Sequence, residues 1–150
     1  MTITVETVGR DLHISLDGIE EPFIARPLPS RAGIQITDTY LNSSVGIADV
    51  EELTKALIMA VDGGRVDEAT GRWEPVAIDE QVTFTRIGDE LRQAEAEAVL
   101  MPAFFWQTVL GMDGVRAYIE GGEGLSGTLK AVAALSARLG RISGGGVDNV

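Results

Sequence analysis

The sequence predicts an α+β fold, in which a small N-terminal antiparallel β-sheet or hairpin is followed by a predominantly helical C-terminal part. Two observations support this fold class. Apolar and polar residues alternate from Ile3 to Val5 and from Leu12 to Leu16, which is the period of strands with one buried face. After residue 30, apolar residues instead recur every three or four positions, which is the period of amphipathic helices.

The N-terminal β portion is predicted to cover residues 1–29. The short polar connection Gly9-Arg10-Asp11 separates the two alternating stretches, and this arrangement is typical of a β-hairpin. A third extended stretch runs from Pro22 to Pro29. Its three prolines cannot donate backbone hydrogen bonds, so we expect it at the edge of the sheet or in a loop.

The first two helices are predicted from their start and stop signals. Ser30 can begin a short helix that continues to about Leu41. A second helix from Asp49 to Val61 has acidic residues in its first turn, where the helix dipole favours them, and Asp62-Gly63-Gly64 ends it. The following segment, residues 65–75, is polar and rich in turn residues and is predicted to be a loop.

A single amphipathic helix is predicted around Ile87, Leu91, Ala94 and Ala98, which share one face at helical spacing. Proline is well tolerated at the first position of a helix, because its missing N–H would have no partner there. Pro102 is therefore predicted to begin the next, strongly apolar helix.

Glycines divide the remaining chain. Gly111 is predicted to end the apolar helix, and Asp113 to cap a short helix that contains Tyr118. After the link at residues 121–124, apolar residues at helical spacing predict a last amphipathic helix between Leu125 and Leu139.

The chain is expected to form a single domain over residues 1–142, with the helical portion covering residues 30–142. No internal repeat or change of composition divides it. Residues 143–150 are rich in glycine and are predicted to form a flexible tail.

Charge and composition exclude several classes of function. The net charge of -11 repels nucleic acids and anionic membranes, because binding to them depends on Lys and Arg. The absence of cysteine excludes disulfides and Cys-based zinc sites. The N-terminus lacks the features of a secretory signal, and no apolar run approaches the ~20 residues that span a bilayer, so we expect a cytoplasmic protein.

The sequence predicts no catalytic, cofactor-binding or metal-binding residues. His13 is the only histidine, and it lies on the polar side of the predicted hairpin. Carboxylate pairs such as Glu20-Glu21, Glu51-Glu52 and Asp79-Glu80 lie at helix starts or in polar stretches, where capping and solvation account for them. Residues 122–128 spell a phosphate-binding loop that lacks its lysine and follows a helix rather than a strand.

The aromatic run Phe104-Phe105-Trp106 is a candidate docking surface. Neighbouring residues of a helix point about 100° apart, so three consecutive aromatic residues cannot all face the core. We expect Phe105 and Val109 in the core, and we expect Trp106 to lie at an interface. The candidate protein-binding residues are Phe104, Trp106, Leu110 and Tyr118.

The order of these features resembles the short tail assembly chaperones of long-tailed phages that infect actinobacteria. The resemblance extends from about residue 20 to the end of the chain and depends on the order of several elements rather than on one motif. The elements are the Pro-rich segment Ala25-Arg26-Pro27-Leu28-Pro29-Ser30, the Ile87-Gly88-Asp89-Glu90-Leu91 element, the apolar Phe104-Phe105-Trp106-Gln107 segment, a Gly-containing link, a helix of small residues and a Gly-rich tail.

This resemblance implies a protein that binds the tape measure protein, a long helical and hydrophobic chain, until the tail tube polymerises around it. It also implies contacts with other tail proteins, a location in the host cell cytoplasm and absence from the mature virion. Such genes often produce a longer product by ribosomal frameshifting, and the Gly144 to Gly146 run fits repetitive G-rich codons. That longer form would be a further partner, and self-association into a homo-oligomer also fits the role.

Two alternatives from other classes remain open. One is a virion structural protein, such as a tail-completion or head–tail connector subunit. The other is a small cytosolic ligand-binding protein or enzyme, for which the sequence offers only scattered carboxylates and arginines.

Overall fold

The structure of the protein, a computed structural model, describes residues 2–44 and 49–147 and confirms the α+β fold. The strands are β1 (Ile3–Val8), β2 (Asp11–Leu16), β3 (Phe23–Ala25), β4 (Gly64–Val66) and β5 (Trp73–Pro75). The α-helices are α1 (Ser30–Ser44), α2 (Val50–Asp62), α3 (Val82–Glu90), α4 (Gln93–Trp106), α5 (Met112–Glu120) and α6 (Gly124–Val147), and a 3₁₀ turn covers Ile78–Glu80.

The N-terminal sheet is antiparallel in the order β1-β2-β3, so the predicted hairpin is confirmed and β3 is an edge strand. Ile14 lies opposite Val5 on one side and Phe23 on the other. Alternate residues of β2 are buried, as period two requires. The apolar face that results packs against α2, α3 and α4 and joins one hydrophobic core with the helices.

The first two helices agree with their predicted start signals. Helix α1 begins at Ser30 and continues to Ser44, somewhat beyond the expected end at Leu41. Helix α2 is capped by Asp49, whose Oδ1 accepts a hydrogen bond from the Glu52 N–H at 2.8 Å. This bond satisfies a backbone donor that has no partner within the helix.

The prediction of a loop over residues 65–75 is wrong, because β4 and β5 pair there as a second hairpin. In its register, Arg65 lies opposite Glu74 and Val66 opposite Trp73. Each strand has only three residues, which is too short for alternation to be recognised in the sequence.

The prediction of one continuous helix through Ile87 and Ala98 is also wrong. Leu91 has extended backbone angles, with φ -110° and ψ 149°, and separates α3 from α4. Helix α4 begins after Arg92, whose backbone N–H donates to Glu95 Oε1 at 2.9 Å. The Glu95 carboxylate therefore satisfies a backbone donor at the start of α4, where Arg92 takes the cap position in place of the usual Ser, Thr, Asp or Asn.

Pro102 lies inside α4 and does not begin a helix. It is fully buried in an apolar stretch that begins at Ala98 and continues through Phe105. Burial of this stretch outweighs the backbone hydrogen bond that the proline removes. Helix α4 ends at Trp106, before Gly111, and Gly111 rather than Asp113 occupies the cap position of α5.

Helix α6 includes the predicted segment from Leu125 to Leu139 and extends to Val147, five residues beyond the boundary predicted at residue 142. The last part of the predicted tail, residues 148–150, lies outside the described residues. Across the ranges that the structure describes, no helix combines the length and apolar character needed to cross a membrane.

Candidate protein-binding surface

Two of the four residues predicted to bind a partner belong to the interior. Phe104 and Tyr118 are fully buried. The Phe104 ring lies 4.6 Å from Tyr40 and 5.2 Å from Phe105, measured between ring centroids, and Phe105 is also buried, as predicted. This correction follows from packing, since the rings form one aromatic cluster that a partner could reach only by opening the core.

Tyr118 has a structural role at the turn between α5 and α6. Its hydroxyl oxygen accepts a hydrogen bond from the Gly124 N–H at 3.1 Å. Burial is the main cause that raises the pKa of Tyr118 to about 12, and the nearby Glu97 and Glu123 carboxylates add to the effect. A β-carbon on Gly127 would lie 2.2 Å from the Tyr118 carbonyl oxygen, so the two helices approach at backbone distance.

The other two predicted residues, Trp106 and Leu110, are half-buried at the end of α4 and in the turn after it. Trp106 packs against the core with part of its surface. These two positions are compatible with an interface, but an apolar groove lies on the adjacent side of the same turn.

Gln107 holds this turn in place. Its Oε1 accepts a hydrogen bond from the Leu28 N–H at 2.9 Å. Its Nε2 donates to the carbonyl oxygens of Arg26 at 2.7 Å and Ala60 at 2.9 Å. One amide therefore connects the Pro-rich segment, the end of α2 and the end of α4, and fixes the position of the residues that follow.

A groove of about 280 Å³ lies between α1, this turn and α6, and we call it the α1–α6 groove. A β-carbon on Gly33 would lie 2.8 Å from the Gln107 carbonyl oxygen, so α1 and the turn meet without a side chain between them. The residues that line the groove are Ser30, Gly33, Ile34, Thr37, Asp38, Gln107, Thr108, Val109 and Leu139.

The walls of the α1–α6 groove are apolar and accessible. Ile34 is 62% exposed on one side and Val109 is 48% exposed on the other. The two buried threonines use their hydroxyls internally: Thr37 donates to the Gly33 carbonyl at 2.7 Å, and Thr108 donates to the Phe105 carbonyl at 2.6 Å. Among the described lining residues only Asp38 carries a charge, so the groove suits apolar side chains of a partner.

Neither wall of the α1–α6 groove was predicted from the sequence. Val109 was expected in the core as part of a helix, but α4 ends three residues earlier and Val109 lies in the turn. Ile34 and the buried Ile36 are two positions apart in α1, about 200° around the helix, so they cannot share a face. That spacing was a usable signal for an exposed Ile34.

The polar residues considered for chemistry lie apart from this groove. His13 is on the outer face of the sheet, opposite Glu6 and Ile24. The segment resembling a phosphate loop, residues 122–128, begins in the turn after α5 and continues into the first turn of α6. Within residues 2–44 and 49–147, no group of three or more His, Asp or Glu residues is placed to hold a metal ion.

The α1–α6 groove and the half-buried Trp106 are thus candidate contacts with another protein. In comparisons with known proteins, no family model, no curated protein and no solved structure matches the chain.

Proposed function

We propose that this protein is a phage tail assembly chaperone that binds apolar helical segments of the tape measure protein in the α1–α6 groove. The observation that carries the proposal is the pair of exposed apolar walls, Ile34 and Val109, on either side of a gap with few free polar groups. Grooves of this kind receive the apolar face of an amphipathic helix.

The energetics suit a transient complex. Burial of one Leu or Phe side chain of the client contributes roughly 1.5–3 kcal/mol, so a few such contacts hold a helix reversibly. The net charge of -11 on the whole chain opposes association between loaded complexes. Together these properties support the proposal of a protein that covers a hydrophobic client in the host cytoplasm and releases it as the tail assembles.

The first test is co-expression with the tape measure protein encoded by the same phage. We expect the client to become soluble with this chain and to remain insoluble without it. Equal insolubility in both cases would overturn the chaperone function. Detection of this chain in purified virions would instead favour a tail-completion or connector subunit.

Groove variants then test the surface. Ile34→Asp and Val109→Asp should each reduce the recovered soluble client by about tenfold, equivalent to ~1.4 kcal/mol, because a charge in the groove must be desolvated when the client binds. Leu129→Asp on α6 and Val66→Asp on β4 are matched controls, since their side chains are similarly exposed but do not line the groove. Equal losses in the groove and control variants would show that the client binds elsewhere.

A further inference from the structure

A second apolar surface lies along the 3₁₀ turn and α3. Ile78 is 82% exposed and Val82 is 70% exposed. They are four positions apart and line the same shallow hollow. Val82 also lines a neighbouring hollow together with Ile24 of β3, and we call Ile78, Val82 and Ile24 the apolar ridge. We call this ridge, with its flanking Asp79 and Asp89, the α3 surface.

The backbone beneath the α3 surface is held by specific bonds. Asp62 accepts hydrogen bonds from the N–H groups of Thr83 at 2.9 Å and Phe84 at 2.6 Å, and so caps the start of α3. The Thr83 hydroxyl donates to the Ile24 carbonyl oxygen at 3.0 Å. These contacts fix α3 against the edge strand, so the ridge is preformed and a partner need not order it.

Arg86 completes this attachment and uses its charge internally. Its guanidinium carbon lies 3.9 Å from the centre of the Phe23 ring. It donates to the carbonyl oxygens of Pro22 and Glu21, each at 2.6 Å, and to Glu90 Oε2 at 3.1 Å. Arg86 therefore offers little of its positive charge to a partner.

The carboxylates around the ridge are not all neutralised. Glu80 pairs with Arg65 and Glu90 with Arg86. In the part of the chain that the structure describes, Asp79 and Asp89 have no cationic partner. Asp79 lies beside Ile78, and Asp89 lies seven positions after Val82, about two turns or ~10 Å along the helix. The α3 surface thus combines an apolar ridge with two carboxylates that have no cationic partner among the described residues.

We infer that the α3 surface binds a basic amphipathic helix of another protein, with apolar side chains over Ile24, Ile78 and Val82 and with Lys or Arg facing Asp79 and Asp89. The complementary charges select this occupant. A second copy of this chain, with its own net charge of -11, would bring acidic surfaces together, and a nucleic acid would be repelled in the same way.

The α3 surface shares no lining residue with the α1–α6 groove. The inference therefore does not depend on the proposed function, and either can fail while the other holds.

A synthetic helical peptide provides the test. It has about 18 residues, long enough to form a helix, with a leucine face and with lysines about seven positions apart at its margins. Binding is followed by fluorescence anisotropy against the full chain. A peptide of the same pattern with glutamate in place of lysine should bind at least tenfold more weakly. Equal binding of the two peptides, or no binding of the lysine peptide, overturns the inference.

Variants then locate the site. Asp79→Asn combined with Asp89→Asn should weaken binding of the lysine peptide about fivefold, as expected for two exposed ion pairs. Glu6→Gln combined with Glu20→Gln removes the same charge from exposed positions of the N-terminal portion and should change binding less than twofold. Equal effects of the two pairs would mean that only the overall charge attracts the peptide.

A second pair of variants tests the apolar ridge, with a matched control pair on α6. Ile78→Ser combined with Val82→Ser should weaken binding tenfold or more without unfolding the chain, because both side chains are exposed. Leu125→Ser combined with Leu129→Ser changes two exposed leucines on α6 and should leave binding unchanged. Retained binding in the Ile78/Val82 variant contradicts the assignment.

Discussion

The side-chain amide of Gln35 makes two hydrogen bonds with the backbone of Trp73, 38 positions further along the chain. Its Nε2 donates to the Trp73 carbonyl oxygen at 2.8 Å, and its Oε1 accepts from the Trp73 N–H at 2.8 Å. One helix residue thus occupies both backbone groups of a strand residue, much as a neighbouring strand would. The bonds attach the β4–β5 hairpin to α1.

Replacing Gln35 with alanine should release this hairpin. The loss of two partly buried hydrogen bonds should lower the free energy of unfolding by about 1–2 kcal/mol. Hydrogen exchange at the Trp73 amide should accelerate at least tenfold, because that N–H would lose its partner. Gln93→Ala, at an exposed position of α4, is the control and should leave this amide unchanged. Unchanged exchange in the Gln35 variant would show that other contacts hold the hairpin.

Alanine at Gly33 and alanine at Gly88 should have opposite effects, although both glycines lie inside helices. The new β-carbon at Gly33 would meet the Gln107 carbonyl oxygen at 2.8 Å, whereas nothing lies within 4 Å of the one at Gly88. We expect Gly33→Ala to destabilise the protein by about 1–3 kcal/mol through overpacking. Gly88→Ala should stabilise it by about 0.5–1 kcal/mol through helix propensity. Urea denaturation measures both changes, and equal signs would contradict the close approach of α1.

Glycine at position 123 should stabilise the turn between α5 and α6. Glu123 has a φ of 60°, in the left-handed region that side chains with a β-carbon disfavour by roughly 1–2 kcal/mol. The greater freedom of glycine in the unfolded chain offsets part of this gain, so Glu123→Gly should raise the free energy of unfolding by about 0.5–1 kcal/mol. Glu120→Gly, in the last turn of α5, should lower it. Thermal melts of the two variants should therefore shift in opposite directions.

Stability should fall under alkaline conditions because of Tyr118. Its pKa is about 12 in the folded protein and 10.0 without the fold, so the folded state holds the phenol proton more tightly. The stabilisation is fully present below pH 10 and is lost as pH rises from 10 to 12, with a magnitude of roughly 2 kcal/mol. Urea midpoints across this range measure the loss. Tyr118→Phe should be less stable at neutral pH but show a flatter decline, and an equal slope would assign the effect to other groups.

Local signals accounted for much of the fold. The β1–β2 hairpin follows from alternation around a Gly-containing turn, and α2 follows from its Asp49 cap and the glycines after it. Both signals operate within a few residues. The break at Leu91 and the continuation of α4 through Pro102 depend instead on burial against other elements, which local propensity does not report.

The candidate surface was less predictable than the fold. Phe104 was correctly placed on an apolar helix, but the choice between core and interface depends on Tyr40, which lies 64 positions earlier. Val109 was assigned to the core because the end of α4 was expected at Gly111. Hydrophobicity alone indicates that a residue favours burial, whereas the elements that cover it decide whether burial is achieved.

The packing of the N-terminal sheet has a consequence for synthesis. Its strands pair with their sequence neighbours, so they can form early, but their apolar face is covered by α2, α3 and α4. A nascent chain that stops before residue 106 lacks part of the cover for Leu12, Ile14 and Phe23. Contact order is thus low within the sheet and high across its buried face, so that face stays partly uncovered until residue 106 has been made.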